Sequence, residues 1–301
     1  MRTNQLIELY FRVCEVYDNQ LMQHCFRHTK NGAQPKFTDS ELLTCYLFAT
    51  GWEQRNGPKA CYTFMRNYYR EWFPDLPSYQ AFNHRLNRLA DVLPLFVQHC
   101  FDRWRELPAA MTSSTILTDS FPVVTASGNR RPSQCGVITN KGRCATKAMW
   151  FHGVKVHLGA LEQAATLPQP VYLIIAPASE HDKTAQQDEL SQLVNATVVA
   201  DKAYVDSKLA AAMRDNNSEL ITPPRFGRSS TQAFQQRNRS AYTLATTVVA
   251  RFRQPIETLF AWLTQATDIE RASRVRSYQG LLVHIYGKIA AVICQRKLAT
   301  I

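Results

Sequence analysis

The sequence lacks any apolar run long enough to cross a membrane, since none approaches the roughly 18 residues that a spanning helix needs. Its first twenty residues, MRTNQLIELYFRVCEVYDNQ, have polar residues spread throughout and so differ from a secretory signal. The eight cysteines include no CxxC pair, and no GxxxxGK loop followed by Ser or Thr occurs. These absences predict a cytoplasmic chain with free thiols, no membrane partner and no need for a nucleoside triphosphate.

Positive charge is concentrated at the C-terminal end. The chain has 301 residues, 45% of them hydrophobic, which suffices for one large core or two smaller ones. Its net charge is +11, and residues 221–301 hold 12 Lys and Arg against three acids. A basic segment of this kind attracts phosphate backbones by releasing their counterions, so DNA is the expected partner.

One tract within this segment, from Leu220 to Ile256, contains no acid at all. Arg237 and Arg239 lie in its middle and are predicted to contact the DNA backbone. Its Ser, Thr, Gln and Asn residues predict a segment that is mobile until DNA binds. The alternative is a solvated, arginine-rich loop without a ligand.

The first third of the chain, residues 1–110, predicts an all-helical N-terminal domain. Thr38 and Glu41 fit a capping box before an apolar run, and Gly51 is expected to end that helix. A second helix after Ser78 has a polar face that includes Arg85 and Arg88. Such a face can read a DNA groove, which predicts DNA binding by this domain; an ordinary solvated face is the alternative.

Residues 111–301 predict an α/β domain with a basic C-terminal part, because strands and helices alternate there. Period-2 and period-3.6 patterns indicate three strands, then helices alternating with strands, which suits a mixed sheet with helices packed on it. The predicted strands are 115–117, 150–158, 171–176, 197–200 and 219–222, and the predicted helices are 183–193, 207–215 and 255–265.

Two aspartates close short β-branched runs in this domain. Asp119 follows the apolar run in TILTDSFPVV, and Asp201 follows the one in TVVADKAYVD. Functional groups gather at strand ends in open sheets, so the two carboxylates are expected to meet and to share a cation. Glu257, expected in the first turn of a helix that begins at Pro255, is the candidate third acid. Separately, each has a simpler interpretation, a turn or cap residue for the aspartates and a helix-dipole acid for Glu257.

Five separated segments resemble the DDE transposases of bacterial insertion sequences, which have ribonuclease H-like catalytic domains. They are ILTDSFPV, GRCATKAMWFHGVKVHL, ASEHD, VVADKAY and RQPIETLFAWL, in that order. The resemblance implies that Asp119, Asp201 and Glu257 are the catalytic acids. A related C-terminal signature has a Tyr three positions before its Arg and a Lys seven after its Glu; here Arg253 and Glu257 match, but Ala250 and Thr264 stand at the other two positions.

The same resemblance implies a ribonuclease H-like mixed sheet flanked by helices, and DNA strand cleavage followed by strand transfer. Three carboxylates can hold two Mg²⁺ or Mn²⁺ ions about 4 Å apart, one on each side of the reacting phosphate. We expect Asp119 to bridge the ions, with Asp201 and Glu257 each completing one site. The implied partners are transposon ends, target DNA and further copies of the chain, as a homodimer or a higher assembly.

Four more side chains are candidate DNA contacts. The resemblance makes Lys155 and His157 neighbours of the site, although a strand-edge lysine and a buried histidine are the simpler interpretations. Lys202 follows Asp201, and Arg253 matches the signature arginine; both are predicted to meet DNA. Two rival functions remain, a metal-dependent nuclease that cuts without joining and a non-catalytic DNA-binding protein derived from a transposase.

Overall fold

The chain forms two compact units in the computed structural model, which describes residues 2–25, 35–105, 115–130, 135, 138–144, 147–227 and 230–298. The first unit comprises Met1–Cys100, Ser133–Val137 and Leu263–Ile301. The second comprises Phe101–Pro132 and Ile138–Trp262. The last segment of the chain therefore groups with the N-terminal helices, while the predicted domain boundary at 110/111 lies outside the described residues.

Helices alone build the described part of the first unit. They are α1 (Thr3–Val16), α2 (Asp39–Gly51), α3 (Pro58–Tyr68), α4 (Tyr79–Arg88), α5 (Leu93–Arg105), α9 (Tyr278–Leu282) and α10 (Lys288–Leu298), with most of α5 included. Single π-turns extend α1 over Tyr17–Leu21 and join α9 to α10 over Val283–Gly287. The predicted helical N-terminal region is confirmed.

Helix α2 lies at the centre of this unit. Its sequence DSELLTCYLFATG is apolar on nearly every side, and 12 of its 13 residues are buried. The predicted capping box forms, because the Thr38 hydroxyl accepts a hydrogen bond from the Glu41 N–H at 3.1 Å and Glu41 reaches back to Thr38. Gly51 ends the helix as predicted, and a Cβ there would lie 2.7 Å from the Ala291 carbonyl oxygen. Glycine therefore permits the close approach of α2 and α10.

A six-stranded mixed sheet forms the second unit. Its strands are β1 (Thr115–Ser127), β2 (Asn140–Cys144), β3 (Met149–Leu161), β4 (Gln169–Pro177), β5 (Thr197–Val199) and β6 (Glu219–Ile221). The order is β2, β3, β1, β5, β6, and β4 pairs with the part of β3 that β2 leaves free. β3 pairs antiparallel with β1, whereas β1, β5 and β6 run parallel.

Helices cover the two faces of the sheet. Leu190 of α6 (Asp182–Gln192) and Met213 of α7 (Ser207–Asp215) pack with Tyr172 in one apolar cluster. On β1, Thr118 and Phe121 differ in parity and so point to opposite faces. Phe121 contacts Phe260 of α8 (Gln232–Thr267) with ring centroids 4.9 Å apart. α6 and α7 thus cover one face, and α8 the other.

Two predicted elements differ from the structure, and one strand was not predicted. Strand β1 continues to Ser127, well past the predicted end at Leu117, and β2 had no prediction. Helix α8 begins at Gln232 and contains Pro255 in its interior, so the helix start predicted at Pro255 is wrong. The remaining predicted strands and helices are confirmed with ends shifted by a residue or a few. Over the described ranges, no helix combines the length and apolar character needed to span a membrane.

Candidate active site

Asp119 and Asp201 occupy matching positions on neighbouring parallel strands. Leu117 of β1 pairs with Val199 of β5, and each aspartate stands two residues further along its chain. Neighbouring strands are about 4.8 Å apart, so equivalent residues on the same face are adjacent. The predicted meeting of the two aspartates follows from this register, although Asp119 lies inside β1 rather than at its end.

Both carboxylates face one cation, the guanidinium of Arg253. Its Nη2 lies 2.6 Å from Asp119 Oδ2, and its Nη1 lies 3.8 Å from Asp201 Oδ1. The Arg253 side chain is 11% exposed, against 22% for Asp119 and 41% for Asp201. Helix α8 places the arginine there, because Phe260, seven residues and two turns further along, packs on Phe121 of the same strand face.

Each aspartate also accepts one local backbone hydrogen bond. Asp119 Oδ1 accepts from the Ser120 N–H at 2.8 Å, and Asp201 Oδ1 accepts from the Lys202 N–H at 2.6 Å. These bonds orient the Asp119 carboxylate on β1 and the Asp201 carboxylate just after the end of β5.

Burial dominates the charge balance of Asp119. It raises the pKa of that carboxyl to about 6, while the Arg253 guanidinium and the Ser120 N–H act to lower it. The Asp201 carboxylate raises the pKa of Asp119 further. A proton therefore competes with a cation for Asp119 below about pH 6, which is typical of paired acids at functional sites.

Glu257 lies one turn after Arg253 on α8 and is exposed. It is an interior residue of the helix rather than the predicted first-turn acid. In the part of the chain that the structure describes, no group of three or more His, Cys, Asp or Glu side chains is close enough to hold a metal ion. The structure thus brings Asp119 and Asp201 to a common cation, Arg253, whereas Glu257, on the same helix as Arg253, is exposed.

The comparison with known families gives one match. A model of the transposase DDE domain matches residues 111–294, more than half of the chain. The chain belongs to this transposase family. Its members use divalent metal ions, and the mixed sheet flanked by helices agrees with a ribonuclease H-like DDE domain. Searches of curated proteins and of solved structures returned no match.

A cation shared by two carboxylates is the arrangement that a divalent ion would also find. Carboxylate oxygens are hard ligands and favour Mg²⁺ or Mn²⁺. In this DDE domain the Arg253 guanidinium is the cation that both carboxylates face. Asp119 and Asp201 therefore fit a metal centre by position and chemistry.

Lys155 and His157 lie on the other face of the DDE sheet. His157 is opposite Ser120 in the β1–β3 register, whereas Asp119 is opposite Leu158. The Lys155 ammonium donates to Asp182 Oδ1 and to the Glu180 carbonyl, both at 2.9 Å. The simpler interpretations therefore describe these two side chains in this structure, a paired lysine and a buried histidine.

A buried polar network on that face was not predicted from the sequence. Gln186 of α6 accepts from Thr118 at 2.6 Å and from the Tyr172 hydroxyl at 2.8 Å. Its amide nitrogen lies 3.0 Å from His157 Nδ1 and also meets the Tyr204 hydroxyl. This network fixes β1 to α6 directly behind Asp119. The sequence signal for this network is the presence of polar residues at positions that the strand and helix patterns predict to be buried.

His157 gives this unit a measurable sensitivity to acid. Burial lowers the pKa of His157 to about 4 from the ordinary 6.5. As the pH falls through that window the unfolded chain takes up a proton and the folded chain does not, so stability present above pH 6.5 is lost toward pH 4. The loss attributable to His157 should reach at most about 3 kcal/mol at pH 4.

Unfolding by urea from pH 7 to pH 4 tests this expectation. His157→Asn, which keeps a polar atom near Gln186, should flatten the fall in stability relative to the parent, whatever its stability at pH 7. Exposed His181, at the N-cap of α6, offers the matched control His181→Asn, which should retain the parental slope. Equal slopes for parent and His157→Asn would show that His157 is protonated in the folded state.

Of the other predicted DNA contacts, four are exposed and one forms an ion pair. Lys202, Arg237, Arg239 and Arg88 are exposed. Arg85 instead pairs with buried Asp39 at 2.7 Å, and its side chain is only 11% exposed. Its guanidinium therefore stabilises the helical unit, which leaves Arg88 as the available cation of that predicted face.

Proposed function

We propose that the chain is a transposase that cuts and joins DNA strands by two-metal-ion chemistry, with Mg²⁺ as the natural ion and Mn²⁺ as a substitute. One observation carries the proposal: Asp119 and Asp201, from neighbouring parallel strands, converge on one cation within a matched DDE domain. When bound, the ions lower the barrier by stabilising the attacking and leaving oxygens of the phosphodiester.

The residues of the chain divide the work. Asp119, the more buried of the two carboxylates that face Arg253, would hold both ions. Asp201 would supply a carboxylate to one ion and Glu257, one helical turn beyond Arg253, a carboxylate to the other. The Arg253 guanidinium, next to both carboxylates, would bind an oxygen of the reacting phosphate. Exposed Lys202 follows Asp201 directly and steadies the same strand of DNA.

The products distinguish this function from its rivals. The substrate is labelled duplex DNA carrying the ends of the element that encodes the chain, mixed with an unlabelled target plasmid and Mg²⁺. A transposase yields nicked ends and labelled plasmid. A nuclease that does not join yields only nicked ends, and a non-catalytic DNA-binding protein yields a shifted complex without either product.

The exposed half of α8 supports a path for the DNA backbone. In residues 232–248 no side chain is buried, and the ring of Phe226 stacks on Tyr242 with centroids 4.1 Å apart. From Gln232 onward the tract is thus helical, and its composition predicts that it becomes fully ordered when DNA binds. At about 100° per residue, Arg237 and Arg239 point to nearly opposite sides, whereas Arg237 and Arg251 share one side.

Salt dependence tests this path. Each arginine that meets a phosphate adds about 0.9 to the slope of log affinity against log salt on duplex DNA. Since only one side of α8 can face a duplex, Arg237→Ala or Arg239→Ala, but not both, should flatten the slope by about one. Gln236→Ala is the neutral control beside them. If neither arginine changes the slope, α8 is a solvated helix without a role in DNA binding.

The remaining partners are proposed on less direct support. Arg88 is exposed on α4 beside Asn87, and we assign this helix to end recognition. Arg88→Ala should then reduce the preference for element ends over random DNA rather than affinity for both.

Assembly on DNA as a homodimer or larger is consistent with the exposed apolar residues Leu244, Val248 and Phe252, one turn apart on α8. The cytoplasm, where bacterial DNA lies, is the proposed location.

A further inference from the structure

A cavity of about 1160 Å³ opens in the helical unit, and none of the residues assigned to catalysis lines it. Helix α3 with the loop before it, helix α4, and the segment from Asp268 to Lys288 form its walls. All of these residues belong to the first compact unit. Neither the predicted acids nor the arginines of α8 line this cavity.

Positive charge surrounds the cavity. Its lining contains six cations but only one carboxylate, that of Asp268. The cations are Arg55, Lys59, Arg271, Arg274, Arg276 and Lys288. All but Lys288 are exposed, and of the ion pairs that the described residues form, none includes one of the six. A concave surface with this charge concentrates anions and favours a phosphate backbone.

Lys288 extends the charge to the floor of the cavity. The residue is 3% exposed, and its ammonium donates to the Asp268 carbonyl oxygen at 3.0 Å. Burial lowers the pKa of Lys288 to about 8 while Asp268 acts to raise it, so at neutral pH the cavity holds a buried cation in addition to its exposed arginines.

Aromatic rings lie in the same wall. Tyr68 is 72% exposed, and its ring centroid is 5.0 Å from that of Phe64 on the same helix. The Arg55 guanidinium lies 4.8 Å from the centre of the Phe64 ring. A nucleobase can stack on an exposed tyrosine ring such as this one.

Amide side chains complete the lining. Asn67 of α3 and both Asn83 and Asn87 of α4 border the cavity. The Asn87 amide donates to the Asn83 carbonyl oxygen at 2.7 Å, which leaves the Asn87 side-chain oxygen as an acceptor. Amides can pair with the hydrogen-bonding edges of bases, which a double helix keeps occupied.

We propose that this cavity binds single-stranded DNA, with phosphates on the arginines and an unpaired base on Tyr68. The combination of cations and an exposed aromatic ring is that of single-strand binding grooves. The volume slightly exceeds that of small-ligand pockets, about 300–1,000 Å³, and so has room for a short stretch of unpaired strand. The inference rests on the proposed function in that both concern DNA; it adds a site for strands that cutting has left unpaired.

Fluorescence anisotropy on the full chain tests the site. The probes are a labelled oligonucleotide of about 15 thymidines and a labelled duplex of the same length, both without Mg²⁺. Tyr68→Ala should weaken single-strand binding about 5- to 100-fold, the range for loss of one stacked base, and change duplex binding little. Tyr68→Phe should restore the affinity, since stacking needs the ring and not the hydroxyl.

Charge and position are controlled separately. Arg274→Ala should lower the salt slope for the single strand by about 0.7. Phe11, an aromatic on α1 that is 67% exposed and outside the cavity, offers the matched control Phe11→Ala, which should bind as the parent does. If Tyr68→Ala weakens both probes equally, or neither, the single-strand site is wrong.

The two proposals fail independently. Asp119→Asn should bind the thymidine probe as tightly as the parent, because that residue lies outside the cavity. If the parent chain shows no Mg²⁺-dependent cleavage and Tyr68→Ala still loses single-strand binding, this inference holds and the proposed function is rejected. If the parent chain cuts and joins DNA but does not bind the thymidine probe, the proposed function holds and this inference is rejected.

Discussion

Replacing Asp119 with asparagine is expected to reduce Mg²⁺-dependent DNA cleavage by at least about 100-fold while the chain still folds and binds DNA. The amide keeps the shape of the side chain but removes the charge that holds a divalent ion. Metal ions contribute several kcal/mol to phosphodiester cleavage, and each 1.4 kcal/mol is worth about tenfold in rate. Asp201→Asn should have an effect of the same size, because its carboxylate shares the cation with Asp119.

The measurement is the initial rate of nicking of end-bearing DNA at pH 7.5, above the pKa of about 6 for Asp119, with melting temperature and DNA affinity recorded for each variant. Exposed Asp188 on α6 offers the matched control Asp188→Asn, which should cleave as the parent does. Parental cleavage by either active-site asparagine variant would exclude that aspartate from catalysis.

Glu257→Gln decides the third acid. A loss like that of the aspartate variants would assign Glu257 to the site despite its exposed position in the structure. An unchanged rate would remove Glu257 and leave the two aspartates as the catalytic pair.

Replacing Arg253 with glutamine is expected to lower the free energy of unfolding by about 1–3 kcal/mol without metal. The substitution removes the cation between two carboxylates and leaves Asp119, only 22% exposed, without a counter-charge. The pair is partly exposed, which holds the loss below the value for a fully buried pair. Mg²⁺ can then enter without displacing a guanidinium, so it should stabilise this variant more than the parent.

Thermal melting with and without Mg²⁺ tests this expectation. Without Mg²⁺ the variant should melt roughly 2–10 °C below the parent, and saturating Mg²⁺ should recover most of that difference. Arg251, two residues earlier on the same helix and exposed, offers the control Arg251→Gln, which should respond to Mg²⁺ as the parent does. An identical Mg²⁺ response in the parent and Arg253→Gln would show that Arg253 does not occupy the metal position.

Regular patterns were sufficient to predict most of the DDE sheet. The alternating residues of β3 and the capped start of α7 carry their own local signals, so both were predicted within a few residues of their observed ends. The position of Asp201 followed from the short β-branched run before it. The pairing of Asp119 with Asp201 was predictable because parallel strands align their carboxyl ends.

Tertiary contacts decided the elements that were predicted wrongly. In β1 the residues Asp119, Ser120 and Pro122 resemble a turn, but pairing with β3 keeps the backbone extended as far as Ser127. β5 pairs with β1 only as far as Leu117, so Pro122 lies where β1 has one neighbouring strand and its missing N–H is tolerated.

Helix α8 was cut short in the prediction for a similar reason. Pro255 normally begins a helix, yet here it lies in the interior, where it gives up the bond to the Arg251 carbonyl. The exposed first half of α8 carries no buried stripe that a pattern could reveal. The contact of Arg253 with both aspartates was therefore unforeseen, because sequence assigns an arginine a charge but not a partner.

Iron-directed cleavage of the polypeptide tests the central claim most directly. Fe²⁺ with ascorbate and peroxide, bound in place of Mg²⁺, generates radicals that cut the chain beside the metal. The account predicts fragments ending near Asp119 and Asp201, suppressed by excess Mg²⁺ and lost in Asp119→Asn. Cuts at other positions, or cuts near the two aspartates that persist in Asp119→Asn, would contradict a metal centre held by this pair.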